Sequence, residues 1–145
     1  MFKQVDISAK KIVKREARAS GKIYLKTETI ETIKNKQIKK GDPLVAAQIA
    51  AVQGVKQTPQ LIPLCHQIPI DSVNTEFTVH PDSIEVIVDV KADAKTGVEM
   101  EALVGVTLGL TTIWDMVKYL EKNENGQYLT TKITDIHVVK KIKGE

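Results

Sequence analysis

Cysteine and aromatic residues are scarce in this chain of 145 residues. The single cysteine, Cys65, excludes an internal disulfide framework and a four-cysteine metal site, and a reducing cytoplasm is the simplest compartment for it. Aromatic residues make up 4% of the chain, which argues against a base-stacking surface for single-stranded nucleic acid. The short motifs GxGxxG, GxxxxGK[ST], GxSxG and HExxH are all missing. The chemistry must therefore come from clusters of side chains.

Long apolar runs are missing too. No segment approaches the roughly 18 apolar residues that a membrane span requires, and the opening residues MFKQVDISAKK contain no apolar signal-peptide core. We therefore expect a soluble cytoplasmic protein without a membrane partner. The length is that of one ordinary domain, which we assign to residues 1–145.

The charge of the chain is dense but nearly balanced. Its 21 basic and 18 acidic residues give a net charge of +3, and the only arginines are Arg15 and Arg18. A modest cationic bias of this kind is compatible with a phosphate-bearing ligand.

Hydrophobic periodicity predicts four strands and three helices. The predicted strands cover residues 21–25, 73–79, 84–90 and 128–142; the predicted helices cover residues 27–36, 43 to about 59, and 97–122. Thr27 and Asp42 are the expected N-caps, and Pro43 suits the first position of the second helix. This order predicts an α+β fold, with helices on one face of an antiparallel sheet. Gly105 and Gly109, inside the third helix, predict a close neighbour that is either another helix or another subunit.

The stretch LIPLCHQIPI places Cys65 and His66 between Pro63 and Pro69. Each proline fixes φ and removes a backbone donor, so we expect a shaped loop that either walls a pocket or fills the core. A zinc site is not expected, because His80 and His137 do not stand at ligand spacing from this pair.

Two further clusters lie on the third helix. Glu99 and Glu101, in KTGVEMEAL, are either acids that favour the helix N-terminus or acceptors for the N–H groups of a guanine-like ring edge. Asp115 and Lys118, in WDMVK, share a helix face, and they are either a surface ion pair or an acid/base pair.

A cationic cluster precedes the second helix. Lys39 and Lys40, in IKKGD, lie beside a helix N-terminus, where they either bind a phosphate or form a solvated charge run. Lys56 and Arg15 could extend this cationic surface.

Six motifs follow one another along nearly the full chain: VDISAK, REARA, KGD, LIPLCH, KTGVEMEAL and DMVK. Together they resemble the MoaC family, the cyclic pyranopterin monophosphate synthases of molybdenum cofactor biosynthesis. The resemblance implies a ferredoxin-like α+β subunit in a homohexamer, built as a trimer of dimers with active sites at subunit interfaces. It implies conversion of 3′,8-cyclo-7,8-dihydroguanosine 5′-triphosphate to cyclic pyranopterin monophosphate, with release of diphosphate. It implies no redox cofactor; we expect no protein-held metal and leave open whether Mg²⁺ accompanies the triphosphate.

The resemblance also implies roles for individual residues. Asp115, Lys118 and Lys40 are the implied acid/base groups, and we add His66 to the catalytic set. The implied substrate contacts are Leu64, Cys65, His66, Met100 and Glu101 with Glu99 nearby, Arg15 and Lys56 at the phosphates, and Asp6. The family's KSGGK segment is replaced here by VVKKIKGE, in which Lys140 is the counterpart of the first lysine.

Two other functions are compatible with the same fold class. An RNA-binding module would carry aromatic residues on the open sheet face, but Phe77 and Tyr24 are too few and too scattered for that. A protein that has lost activity and only carries the substrate is the second alternative, and retention of Asp115, Lys118, Lys40 and His66 argues against it.

Overall fold

The computed structural model of the chain describes residues 2–145, which form four strands and three helices. In chain order they are β1 (Val13–Tyr24), α1 (Thr27–Lys34), α2 (Pro43–Leu61), β2 (Ser72–Val79), β3 (Ser83–Ala94), α3 (Glu99–Glu121) and β4 (Lys132–Lys143). The strands lie in the order β2-β3-β1-β4, and every neighbouring pair is antiparallel. α2 and α3 pack together on one face of the sheet. The predicted α+β, ferredoxin-like class is therefore confirmed.

The β2–β3 hairpin follows from its alternating sequence. In β3 the side chains of Ile84, Val86, Val88 and Val90 are fully buried under the helices, and the residues between them are only half-buried. The turn is closed by the backbone N–H of His80, which donates to the Ser83 carbonyl at 2.8 Å. One face of the hairpin thus joins the core, and the other remains open.

β1 is much longer than the predicted strand at residues 21–25. The strand begins at Val13, because the alternation of buried and less buried residues continues upstream through Ala17 and Ala19. Both alanines are buried beneath the helices. These positions are small because α3 lies close: a Cβ added at Gly21 would stand 2.8 Å from Leu110 Cδ1. A search for β-branched or aromatic residues misses such a strand.

The two predicted helix caps have different outcomes. Asp42 caps α2 as expected, because its Oδ1 accepts the Leu44 N–H at 2.9 Å. The Thr27 prediction is wrong, since Thr27 is already helical and Lys26 occupies the capping position. The Lys26 N–H donates to the buried carboxylate of Glu121 at 3.2 Å, so the end of α3 fixes the start of α1.

The helix α2 extends two residues beyond its predicted end near Pro59, since it passes through this proline and ends at Leu61. A proline in the last turn removes only one intrahelical hydrogen bond. The end is held by two others: the Thr58 hydroxyl donates to the Gly54 carbonyl at 2.8 Å, and the Ile62 N–H donates to the Thr58 carbonyl at 2.8 Å.

The predicted start of β4 at residue 128 is wrong, because residues 122–131 form a loop. The loop is shaped by Asn123, whose Oδ1 accepts the backbone N–H groups of Asn125 at 2.9 Å and Gln127 at 3.0 Å. Tyr128 packs edge-on against Trp114, with ring centroids 5.0 Å apart, and does not join the sheet.

The glycines of α3 face α2 of the same chain. A Cβ added at Gly105 would stand 2.9 Å from Val55 Cγ2 and 3.3 Å from the Ala51 carbonyl oxygen. The close neighbour that these glycines predicted is therefore a helix, and they give no evidence for a subunit contact. By length and composition α3 could cross a membrane, but its apolar side fills the core through Val106, Leu110 and other fully buried residues.

Candidate active site

A cavity of about 440 Å³ lies where the N-terminal segment, the loop after α2 and the start of α3 meet. Six of the predicted substrate contacts line it: Leu64, Cys65, His66, Glu99, Met100 and Glu101. We call this group the carboxylate pocket. Pro63 occupies the second position of a turn in which the Cys65 N–H donates to the Ile62 carbonyl at 3.1 Å. The proline-bounded loop therefore walls a pocket, which was one of the two expected alternatives.

The N-terminal segment fixes the orientation of the loop. Gln4 Nε2 donates to the Cys65 carbonyl at 3.1 Å, and His66 Nε2 lies 2.6 Å from the carbonyl oxygen of Val5. Because a carbonyl oxygen only accepts, His66 must carry its proton on Nε2. In the neutral ring, Nδ1 is then the nitrogen that can accept a proton.

The electrostatics of the carboxylate pocket centre on Glu101, which is 2% exposed. Burial raises the pKa of its carboxyl group, and the neighbouring charge of Glu99 adds to the rise. The pKa of the Cys65 thiol is raised as well, first by burial and then by Glu101. Cys65 therefore stays a neutral thiol near pH 7, suited to lining the pocket rather than to nucleophilic attack.

Glu99 is engaged by a lysine that sequence reasoning missed. Its Oε2 accepts from Lys141 Nζ at 3.2 Å, whereas its Oε1 is buried without a hydrogen-bond partner among residues 2–145. Lys140, the lysine singled out from the sequence, lines a different cavity on the open sheet face beside Arg18 and Asp89. Its role as a substrate contact stays a prediction.

The acid/base residues form a second cluster at the other end of α3. Asp115 Oδ2 lies 3.0 Å from Lys40 Nζ, and Asp115 Oδ1 lies 3.1 Å from Lys118 Nζ. All three side chains are about half exposed, and we call them the lysine–aspartate cluster. The two ammonium groups, Lys40 first, hold the pKa of Asp115 below its ordinary value. The structure thus brings Lys40 into contact with Asp115, which lies 75 residues later in the sequence.

The two groups are far apart within one chain. Glu101 and Asp115 are 14 residues apart on α3, so at 1.5 Å per residue they are separated by roughly 21 Å along the helix axis. A single chain therefore carries two separate clusters of candidate residues.

The other predicted contacts have mixed surroundings. The Arg15 guanidinium is buried and donates to the carbonyls of Ala94 at 3.4 Å and Lys95 at 3.2 Å, so it holds the backbone that leads into α3. Asp6 Oδ1 accepts the Ser8 N–H at 2.8 Å, and this hydrogen bond lowers the Asp6 pKa. Lys56 is exposed on α2 and does not line the carboxylate pocket.

No group of three or more His, Cys, Asp or Glu side chains that could hold a metal ion occurs within residues 2–145. The Nδ1 atom of His137 is occupied by the Asp135 carbonyl at 2.6 Å.

The chain is similar to known proteins along nearly its whole length. A profile described as the MoaC family matches residues 4–144. A protein of Thermococcus kodakarensis named "Probable cyclic pyranopterin monophosphate synthase" is 56% identical over 143 residues, covering 99% of this chain and 92% of its own length. Proteins with the same printed name from Methanosphaerula palustris and Aeropyrum pernix are each 56% identical over 140 residues, covering 97% of this chain and 91% and 96% of their own lengths.

Proposed function

Because the chain belongs to the MoaC family, we propose that its reaction uses the carboxylate pocket and the lysine–aspartate cluster together, as two half-sites of one active site. Its activity is that of a cyclic pyranopterin monophosphate synthase, a lyase of molybdenum cofactor biosynthesis. The substrate is 3′,8-cyclo-7,8-dihydroguanosine 5′-triphosphate. Closure of the cyclic phosphate forms a new P–O bond at the α-phosphorus and breaks the bond to the β-phosphate, so that diphosphate leaves.

The carboxylate pocket recognises the base of the substrate. A guanine-derived ring edge presents N–H donors, and the carboxylates of Glu99 and Glu101 can accept from them. The raised pKa of Glu101 lets this group take up a proton more readily than an ordinary glutamate, which suits it to ring opening and reclosure. His66 offers a second proton acceptor through Nδ1, since the Val5 carbonyl occupies Nε2.

The lysine–aspartate cluster supplies the proton transfers and part of the positive charge for the phosphates. Asp115 stays ionised because Lys40 and Lys118 both contact it. It therefore holds two ammonium groups side by side, and each of them can donate a proton to the substrate or bind a phosphate oxygen. The single observation that carries the proposal is this convergence of Lys40 and Lys118 on one carboxylate.

We propose that each complete active site is shared between two copies of the chain. Roughly 21 Å of α3 separates Glu101 from Asp115, so one bound nucleotide does not bridge them along the helix, whereas the cluster of a second copy could lie beside the pocket of the first. A homohexamer built as a trimer of dimers provides such interfaces. The outer face of α2 supports an assembly, because Val45 and Ile49 are one turn apart and are 53% and 56% exposed.

Two further features belong to the proposal. The enzyme works in the cytoplasm, and it holds no catalytic metal of its own, so any Mg²⁺ arrives with the triphosphate.

RNA binding has little support, because Phe77 pairs with the buried Val86 and thus lies on the helix-covered face, where it cannot stack with a base.

The test of the activity is turnover of the enzymatically prepared substrate, with mass spectrometry of the pterin product and measurement of diphosphate release. Both products are expected. Binding without either product would favour a carrier protein that has lost activity, and the absence of binding and turnover would contradict the synthase assignment.

Complementation tests the shared site. Glu101→Gln and Lys118→Ala variants are each expected to be nearly inactive. If sites are shared, unfolding and refolding an equal mixture should restore roughly a quarter of wild-type activity, because random assembly pairs two intact half-sites in about one site in four. No recovery from an assembled mixture would place the whole site within one chain. Each variant refolded alone is the control.

A further inference from the structure

The loop of residues 35–42, between α1 and α2, carries Lys40 to the lysine–aspartate cluster. Two of its residues have a positive φ, Lys36 at 56° and Gly41 at 114°, so the chain reverses sharply on both sides of the lysine. Ile38 is buried and anchors the middle of the loop, and its carbonyl accepts the Gly41 N–H at 3.1 Å. These contacts fix the loop near Ile38 but do not direct the Lys40 side chain.

A tyrosine on α3 contacts the backbone next to Lys40. The hydroxyl oxygen of Tyr119 accepts the Lys39 N–H at 3.0 Å, and the Lys39 ammonium lies 5.2 Å from the centre of the Tyr119 ring. Asp115, Lys118 and Tyr119 are spaced i, i+3 and i+4, so they share one face of the helix. One face of α3 thus carries both the Asp115 carboxylate, which contacts the Lys40 ammonium, and the Tyr119 hydroxyl, which accepts the N–H of the preceding residue, Lys39.

We propose that Tyr119 is a positioning residue, whose hydroxyl holds the Lys39 backbone so that the Lys40 ammonium meets Asp115. The inference rests on the proposed function, in which Lys40 takes part in the reaction. An exposed lysine on a flexible stem gains little from its ion pair alone, because solvent screens the attraction and ordering the side chain costs entropy. A fixed backbone attachment one residue away reduces that entropic cost.

The test is Tyr119→Phe, which keeps the aromatic ring beside Lys39 and removes only the acceptor. We expect kcat to fall roughly 3- to 10-fold, the loss typical of one hydrogen bond, and the melting temperature to fall by no more than about 4 °C. Tyr24→Phe is the matched control, because the Lys132 ammonium lies 5.4 Å from the Tyr24 ring centre, much as the Lys39 ammonium lies 5.2 Å from that of Tyr119. This control should retain wild-type activity.

A second measurement separates positioning from a general structural role. Lys40 is the largest cause of the lowered Asp115 pKa, Lys118 contributes next, and the Tyr119 hydroxyl contacts the backbone beside Lys40, so we expect its effect on this pKa to pass through Lys40. In carbon NMR titrations, Tyr119→Phe should move the Asp115 pKa back toward its ordinary value. In a Lys40→Ala background, adding Tyr119→Phe should cause no further change.

Two results would overturn the inference. One is an unchanged Asp115 pKa in Tyr119→Phe, whatever happens to kcat; the other is a shift of equal size in the presence and absence of Lys40. The titration does not require turnover. It therefore decides the role of Tyr119 even if the substrate assay fails and the proposed function falls.

Discussion

Replacement of Lys118 by alanine should separate a catalytic ion pair from a structural one. Lys118 Nζ lies 3.1 Å from Asp115 Oδ1, and the lysine side chain is 43% exposed. A half-exposed pair at i, i+3 spacing contributes little to folding, so the melting temperature should change by no more than about 2 °C. A positioned acid or base contributes about 100-fold or more to a rate, so kcat should fall by at least that factor.

The chain offers a matched control for this substitution. Lys34 forms the same i, i+3 pair with Glu31 on α1, with an N–O distance of 3.7 Å and a lysine side chain that is 46% exposed. Lys34→Ala should therefore change the melting temperature equally little and leave kcat at the wild-type value. For both variants, thermal denaturation measures the melting temperature, steady-state turnover measures kcat, and gel filtration checks that the assembly is unchanged. Near-normal turnover of a folded Lys118→Ala variant would refute the acid/base role and leave Asp115–Lys118 as a surface pair.

Three other outcomes are expected. In urea denaturation, Gly109→Ala should stabilise the protein by up to about 1 kcal/mol, because the added Cβ meets nothing closer than 3.5 Å. Gly105→Ala should destabilise the protein by about 1 kcal/mol, because its Cβ would stand 2.9 Å from Val55 Cγ2. The opposite order of stability would contradict the described α2–α3 packing. As pH rises above 4.5, the Glu101→Gln variant should become more stable relative to the wild type. The Glu101 pKa is higher in the folded state than in the unfolded state, so the wild type loses stability when Glu101 ionises, whereas glutamine cannot ionise. An equal difference in stability at every pH would contradict the raised pKa. Chelator treatment followed by removal of the chelator should leave binding of a substrate analogue intact, whereas loss of binding that zinc alone restores would show a metal site held by the protein.

Much of the fold follows from local pattern, because large apolar residues mark the buried faces. The alternation of Ile84, Val86 and Val88 predicts β3 from sequence alone, and all three are fully buried. The first part of β1 is not predicted, because its buried positions are occupied by the small residues Ala17 and Ala19. Alanine at these positions is explained only by the packing of α3 against β1. Local pattern therefore predicts elements whose burial depends on large residues and misses those whose small residues admit a neighbour.

The candidate site shows the same division. Motifs placed Asp115 beside Lys118, since i, i+3 spacing on a helix requires no tertiary knowledge. The motifs do not decide whether Cys65 and His66 wall a pocket. They also do not indicate Tyr119, because its contact with Lys39 joins residues 80 positions apart in the sequence. Contacts of that range depend on how α3 packs against the loop before α2.

The choice between Lys140 and Lys141 has a specific physical reason. Strict alternation along β4 would place Lys140 on the same face as Val138. The register with β1 shifts there: Val138 pairs with Ala19, but Lys140 pairs with Arg18, so one extra residue is accommodated between them. This bulge moves Lys140 to the open face and turns Lys141, the partner of Ala17, toward the helix side, where it reaches Glu99 at 3.2 Å. A one-residue bulge leaves no clear mark in the sequence, yet it decides which of two adjacent lysines contacts the carboxylate pocket.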